Sequence, residues 1–440
     1  MQADSSRNRR RDARPGRALF CMLFLVFTFV GLALAETEPG PAAPEQPLPS
    51  DQQTPDAAPG LQELFDQQLE GNEPQTEPEE TSEGLRIGEG HTISYQQGGY
   101  NMALDIAAAA DFVGAWDNDT PASTKNEFEM REVELLFTAY IDHLAKGVVS
   151  LAAHREEGET LLEAHEIYFE FPNFFLPNTS ARLGKMFLDV GRLNSIHRHD
   201  WPFTNAPAVH ENLLASEAAD DTGLELSFLF PWSFWQELTV GVYNGKTFGH
   251  SHVEGDTKQN PLFTAHLKQF IPFTENLGDQ FGFSYLRFHP TTSSNQVSHQ
   301  YGFDHTIRWD PSTEYGGEWW TEVWYRETRE KNERRFDPPA VPIETRVGAY
   351  SYVGARFLRE WTVGYRWGFF TNPNFRNDRG QKQIRNGIEQ NAIIVSYHPS
   401  EFSTFRATAE RTTERETGKN TYQYYAQADF ILGFHPAHEY

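Results

Sequence analysis

Between Gly184 and Gly223 the chain reads GKMFLDVGRLNSIHRHDWPFTNAPAVHENLLASEAADDTG, a dense run of ionisable side chains. Two chemistries suit it. Carboxylates lining a narrow, low-dielectric passage attract cations and repel anions. Asp200, Glu211, Glu217, Asp220 and Asp221, with Arg198 among them, are the candidates for such a filter. Imidazoles beside carboxylates could instead hold zinc. His197 and His199 are two residues apart, which in a strand puts both rings on one face, and His210 follows with Glu211. His250-x-His252 and His435/His438 are further imidazole pairs. No spacing matches a closed structural zinc site, so no cofactor is expected and zinc stands as the alternative.

Other chemistries are excluded. GxSxG, HExxH, P-loop and GxGxxG patterns are missing, and Ser195 and His197 are too close in sequence to suggest a triad, so the chain does not read as an enzyme. The single cysteine, Cys21, lies in an N-terminal apolar run, which leaves the remainder without disulfides or a thiol nucleophile. With a formal net charge of −25 and no basic patch, the chain is not a nucleic-acid binder.

The elements that must position these residues are strands. Aromatics make up 14% of the 440 residues, yet mean hydropathy is only −0.60, as expected where only every second residue of a strand is apolar. Met102, Leu104, Ile106, Ala108, Ala110 and Phe112 share one face. Val133, Leu135, Phe137, Ala139 and Ile141 alternate with Glu132, Glu134, Thr138, Tyr140 and Asp142. Sixteen such strands can be placed, near 100–114, 128–142, 147–155, 161–171, 181–190, 223–230, 236–244, 262–271, 279–289, 300–309, 315–328, 345–357, 360–370, 386–398, 402–411 and 421–434. Short turns such as Asp310–Thr313 alternate with mostly longer polar connections at 115–127, 191–222, 245–261, 329–344, 371–385 and 412–420. Aromatics gather in Phe230–Trp235, Trp319-Trp320 and Phe369-Phe370, where membrane interfaces would place girdles. The fold class expected is all-β: a transmembrane antiparallel up-and-down β-barrel of about 16 strands (16–18), spanning 91–440 in contact with outer-membrane lipid.

The N-terminus reads as an export signal. Arg7, Arg9, Arg10, Arg11, Arg14 and Arg17 precede an apolar run, Ala18–Leu32, and an A-x-A site at Ala33–Ala35. Removing 1–35 leaves 31 basic against 60 acidic residues, a net −29. Residues 36–90 are rich in Pro, Glu and Gln and are expected to be a disordered periplasmic segment. Leu61, Leu64, Phe65 and Leu69 within it fit a short helix near 61–69 that could dock a periplasmic partner. Export to the outer membrane of a Gram-negative-type bacterium is the expected destination.

Met130-Arg-Glu-Val-Glu-Leu135, His165-Glu-Ile-Tyr168, Leu183-Gly-Lys185, Gly191-Arg-Leu-Asn194, His197-Arg-His199 and Pro202-Phe203 resemble a group of porin-like outer-membrane proteins. That group is often labelled as zinc-regulated outer-membrane receptors and is similar in layout to the phosphate-selective porin O/P type. The resemblance implies an outer-membrane barrel. Counting outward-going hairpins, 191–222 is the third external connection, which in trimeric general porins folds into the lumen and narrows it, so 191–222 is the candidate constriction and a homo-trimer is the candidate assembly. About 340 barrel residues cannot supply a plug domain and 22 strands, so a TonB-dependent receptor is not expected. The acidic balance favours passive passage of small hydrophilic, cationic solutes over phosphate. Arg287, Arg308, Arg326 and Arg366 could set a transverse field against the acidic loop. The alternatives are a zinc-linked uptake or binding protein and a structural or adhesive barrel with a periplasmic partner through 36–90.

Overall fold

A computed structural model of the chain describes residues 84–87, 93–97, 100–118, 127–156, 159–245, 260–290, 296–330, 344–376 and 382–433. The export signal, the 61–69 helix, His250/His252 and His435/His438 lie outside the described residues. The strands are β1 (Gly84–Ile87), β2 (Ile93–Gln97), β3 (Tyr100–Asp117), β4 (Glu127–Ile141), β5 (Ala145–Glu156), β6 (Glu159–Pro172), β7 (Thr179–Phe187), β8 (Asp220–Leu229), β9 (Gln236–Tyr243), β10 (Leu262–Thr274), β11 (Leu277–Phe288), β12 (Gln296–Trp309), β13 (Gly316–Glu330), β14 (Glu344–Phe357), β15 (Trp361–Arg376), β16 (Lys382–Ser400), β17 (Ser403–Glu414) and β18 (Asn420–Leu432).

From β3 onward each strand pairs antiparallel with the next, and β18 returns to β3 from Gln423↔Asp117 to Leu432↔Ala108. Sixteen strands therefore close into an up-and-down barrel with no free edge. All sixteen expected strands are present. β2 pairs with β3 at Tyr100–Leu104, below the last β18 partner, and β1 pairs with β2. β1 falls inside the segment expected to be disordered, so that expectation does not extend to Gly84–Ile87.

Side chains alternate as the pleat demands. On β4, Glu132, Glu134, Leu136 and Thr138 are buried toward the lumen, while Leu135 is 42% exposed on the outside. Short turns fill one end of the barrel, and Phe175, Trp232, Phe234, Phe273, Trp309, Tyr315 and Phe402 stand exposed there as an aromatic girdle. Two expectations about aromatics change. Trp319 faces out, but Trp320 and Phe370 point inward and are 4% and 3% exposed. Arg287 also departs from the expected transverse field: it lies on the outer face, over the Phe263 ring.

Two β-bulges bring extra polar side chains to the inner face. The β3–β4 register slips between Asp111 and Phe112, which makes Arg131 an extra residue and turns it into the lumen. The β5–β6 register slips between Ser150 and Leu151, which does the same for His165.

Candidate functional site

The β7–β8 connection is the third at the long-loop end, and it lies inside the barrel. It runs from Leu188 to Ala219 and contains two 3-10 turns, Leu193–Ser195 and Arg198–Asp200, and a short helix α1 (Ala208–Leu213). The expected loop 191–222 is therefore shifted: Asp220 and Asp221 belong to β8.

One face of the loop is apolar. Leu188, Val190, Leu193, Trp201, Phe203, Val209 and Leu213 are 0% exposed and pack against Leu286, Phe288, Trp320, Trp324, Tyr350, Tyr352, Phe370 and Ile394 of the wall. Phe203 sits edge-on between Tyr350 and Tyr352, each 5.8 Å away by ring centroids, with the Arg366 guanidinium 4.6 Å above its ring.

The loop's backbone is then satisfied by the wall. Arg131 donates to the Thr204 carbonyl at 2.6 Å, Arg406 to Trp201 at 2.9 Å and Arg346 to Asn212 at 3.3 Å, while Arg366 and Arg326 donate to the carbonyls of Asn205 and Leu213. The Leu193 amide donates to Glu322 at 2.7 Å, and that of Ala208 to Gln390 at 2.7 Å. Such pairing is what a buried loop requires, because an orphaned backbone group there carries its full desolvation cost. At the neck, the Asn194 amide donates to Leu188 and Ala219 carbonyls at 2.8 and 3.1 Å and accepts from the Ala219 amide at 2.6 Å. Gly191 turns the neck with φ +65°, and a Cβ there would meet Trp324 at 2.6 Å.

The other face of the loop is charged and meets β4–β6. The Ser150 hydroxyl donates to Glu134. His197 lies between Glu134 (Nδ1 to Oε1, 3.2 Å) and Glu166 (Nε2 to Oε2, 3.4 Å). His199 lies 3.6 Å from Glu134 and 3.2 Å from Asp200. Arg198 bridges Glu217 at 3.2 Å and reaches Glu132 at 3.9 Å, and His165 Nδ1 is 3.6 Å from Glu217 Oε1. Asp189, at the loop's start, meets His266 at 3.0 Å and Lys268 at 3.2 Å.

The wall is only partly backbone-paired beside this cluster. The β6–β7 ladder spans only Ile167↔Lys185 to Pro172↔Ser180, whereas β5–β6 pairing reaches Glu156↔Glu159. At the ladder's upper end Gly184 (φ +144°) faces Gly223; a Cβ on Gly184 would meet the Ile167 carbonyl oxygen at 2.1 Å. Toward the long-loop end is a cavity of about 200 Å³ lined by His165, Lys185, Phe187, Glu211, Glu217 and Asp220 among others. Toward the short-turn end is one of about 220 Å³, reached by Tyr168, Arg182, Asp189, Arg192 and Lys268. On β6, Glu166 stands between His165 of the first and Tyr168 of the second. The His197–Glu134–Glu166 group lines neither cavity, and with Arg198 and Glu217 it is called the ionic partition.

The expected site residues are not one ring. Arg198 and Glu217 are paired in the partition. Glu211 is exposed on the long-loop-end cavity, and Asp200 borders a third cavity of about 290 Å³ with Arg308 and Arg406. Asp220 pairs with Lys185 at 2.9 Å in the wall. Asp221 accepts from the Thr222 and Gly245 amides at 2.7 Å each, a turn-fixing role. The three expected imidazoles separate as well. His197 caps a 3-10 turn and His199 lies within it, so neither is on a strand, and their rings stack 5.6 Å apart. His210 packs edge-on against Trp201 and donates Nε2–H to the Glu217 carbonyl at 2.7 Å. Burial holds it down to about 4, so the ring is neutral.

Glu132, Glu134, Ser150, His165 and Glu166 complete the site from the wall. The inward phase of β4 marks Glu132 and Glu134 in the sequence. His165 carries no such mark, because only the bulge turns it inward.

No family model matches the chain. An uncharacterized protein of Aquifex aeolicus is 23% identical over 342 residues, covering 72% of this chain and 71% of that one. OprB of Pseudomonas putida superposes with a TM-score of 0.53 at 8% identity, over 75% of this chain and 94% of that one. An anion-selective porin from Comamonas acidovorans gives 0.53 at 7% identity, over 75% and 100%. The chain has the fold of the outer-membrane porins, a closed antiparallel barrel of sixteen strands.

Proposed function

We propose that the chain is a non-enzymatic outer-membrane channel for passive passage of small hydrophilic solutes, cations in preference, with the loop 188–219 as its constriction. The observation that carries this reading is the loop's two-sided character. Its apolar face packs against one side of the wall, and its charged face borders the cavities of about 200 and 220 Å³. Cation preference is supported by Glu132 and Glu217 beside Arg198, by Glu134 and Glu166 beside His197, and by the overall charge of −25. The short turns then face the periplasm and the long connections the exterior.

Planar-bilayer recording tests it. The wild-type barrel should conduct weakly and show a cation-directed reversal potential in a KCl gradient. Replacing residues 196–214 by a short glycine linker should raise the unit conductance several-fold, as a lumen freed of its loop requires. Folded protein that conducts in neither form, or a linker variant with the wild-type conductance, overturns the reading.

A further inference from the structure

We propose that Glu134, His165 and His197 form a divalent transition-metal site that joins the loop to the wall across the partition. One ligand atom from each of the three lies within 4.8 Å of the other two, and all three residues are buried. A second group, Glu132, His165 and Glu217, meets the same criterion and shares His165, so further carboxylate oxygens stand ready around one imidazole.

An independent observation points to a ligand. His165 is 3% exposed, and neither of its ring nitrogens has a hydrogen bond. Glu132 Oε2, Glu134 Oε2 and Glu217 Oε1 are likewise buried without hydrogen bonds. Buried polar atoms are normally satisfied, and several such atoms converging on one point call for a cation. The local charge agrees: Glu132 and Glu217 flank Arg198, and Glu134 and Glu166 flank His197.

The geometry fits coordination. His197 Nδ1 and Glu134 Oε1 are 3.2 Å apart, and His165 Nδ1 and Glu217 Oε1 are 3.6 Å apart. Donors sharing a tetrahedral ion at bonds of about 2.0–2.1 Å stand about 3.3 Å apart. The outer contacts fit as well. Glu166 lies 3.4 Å behind His197 Nε2, so that Nε2–H would point to a carboxylate while Nδ1 faces the ion. Ser150 holds Glu134 in place. Two imidazoles with carboxylates select Zn²⁺ and its neighbours over Mg²⁺ or Ca²⁺, which prefer all-oxygen sites. His199 and His210 are not part of this set. Its consequence for permeation rests on the channel reading above; the binding itself does not.

The test uses the purified full chain, stripped with EDTA and titrated with Zn²⁺ by calorimetry and with Co²⁺ by visible absorption. One ion should bind per chain. His165→Gln, Glu134→Gln and His197→Gln should each weaken binding by more than about tenfold, while His305→Gln, which removes the partner of Asp279 on β11, should bind as wild type. His165→Cys gives a gain of signal: a thiolate-to-Co²⁺ charge-transfer band, with Cys21 as the chain's only other cysteine. Heat-modifiable gel migration confirms that each variant is folded. An unresponsive wild type, ligand variants that bind as wild type, or His165→Cys without the band would overturn the site. If binding occurs but metal-free protein does not conduct, the channel reading fails and the metal site stands.

Discussion

Phe203→Ala isolates the docking of the lumen loop from the stability of the barrel. Phe203 is 0% exposed and touches Tyr350, Tyr352 and Arg366. Truncating a buried phenylalanine costs about 3–5 kcal/mol in a protein core. Lumen water can enter the space left, which favours the lower end, about 3 kcal/mol. The edge-to-face and cation–π contacts are included in that figure, since contacts on one ring do not add independently. At about 1.4 kcal/mol per factor of ten, the undocked-to-docked ratio rises roughly 10²-fold.

No strand ladder passes through Phe203, so the cost falls on the loop. Trypsin in detergent is a suitable probe, because Arg192 and Arg198 lie in the loop and both are largely buried when it is docked. Where opening is fast relative to cleavage, the rate follows the open population, so cleavage should quicken by about 10²-fold. Heat-modifiable migration should remain that of wild type. Cleavage within about threefold of wild type would refute the docking argument. Loss of the folded barrel together with the loop would refute the separation between them.

Three further outcomes rest on named contacts. Arg366→Met leaves Glu410 buried without its 2.6 Å partner, a cost of about 3–5 kcal/mol, and removes the donor to the Asn205 carbonyl, so tryptic cleavage of the loop should quicken; cleavage at the wild-type rate would count against this contact's part in docking. Asn194→Ala removes three hydrogen bonds at the loop neck and strands the Ala219 amide, at about 1–3 kcal/mol, so hydrogen exchange at Ala219 should quicken while that of the β12–β13 ladder is unchanged. Gly184→Ala forces a Cβ onto the Ile167 carbonyl at a φ that side chains avoid, so the refolding yield should fall; a yield equal to wild type would mean that β6 and β7 can part further than the backbone suggests.

The strands were legible because a membrane barrel writes one rule along its whole length. Every strand turns one apolar face outward, so the period of two persists from β3 to β18 and the turns punctuate it. The rule says nothing where the lumen is not water. Trp320 and Phe370 look like girdle residues in sequence, yet they face inward because the loop gives them an apolar partner. It is also silent at a bulge, where one extra residue reverses the face of its neighbour. Arg131 and His165 become lumen residues in that way, one clamping Thr204 and the other entering the ionic partition. Within the loop, attention to charge found His197, Arg198 and Glu217. It could not separate them from Asp220 and Asp221, because where a strand ends depends on pairing that charge does not encode.

The loop's apolar residues carried the stronger signal. A solvated connection has no use for Leu188, Val190, Leu193, Trp201, Phe203, Val209 and Leu213 within 26 residues, and all seven are buried. Their complement is also written in the wall. β11, β13, β14, β15 and β16 bear large apolar side chains on their inward faces, at Leu286, Phe288, Trp320, Trp324, Tyr350, Tyr352, Phe370 and Ile394. Strands apolar on both faces are the mark of a sheet covered on both sides, in a barrel otherwise polar within. The inward residues of β3, β4 and β6 are instead Asp105, Asp111, Glu132, Glu134 and Glu166. The loop thus presents an apolar face to the first set of strands and a charged face to the second.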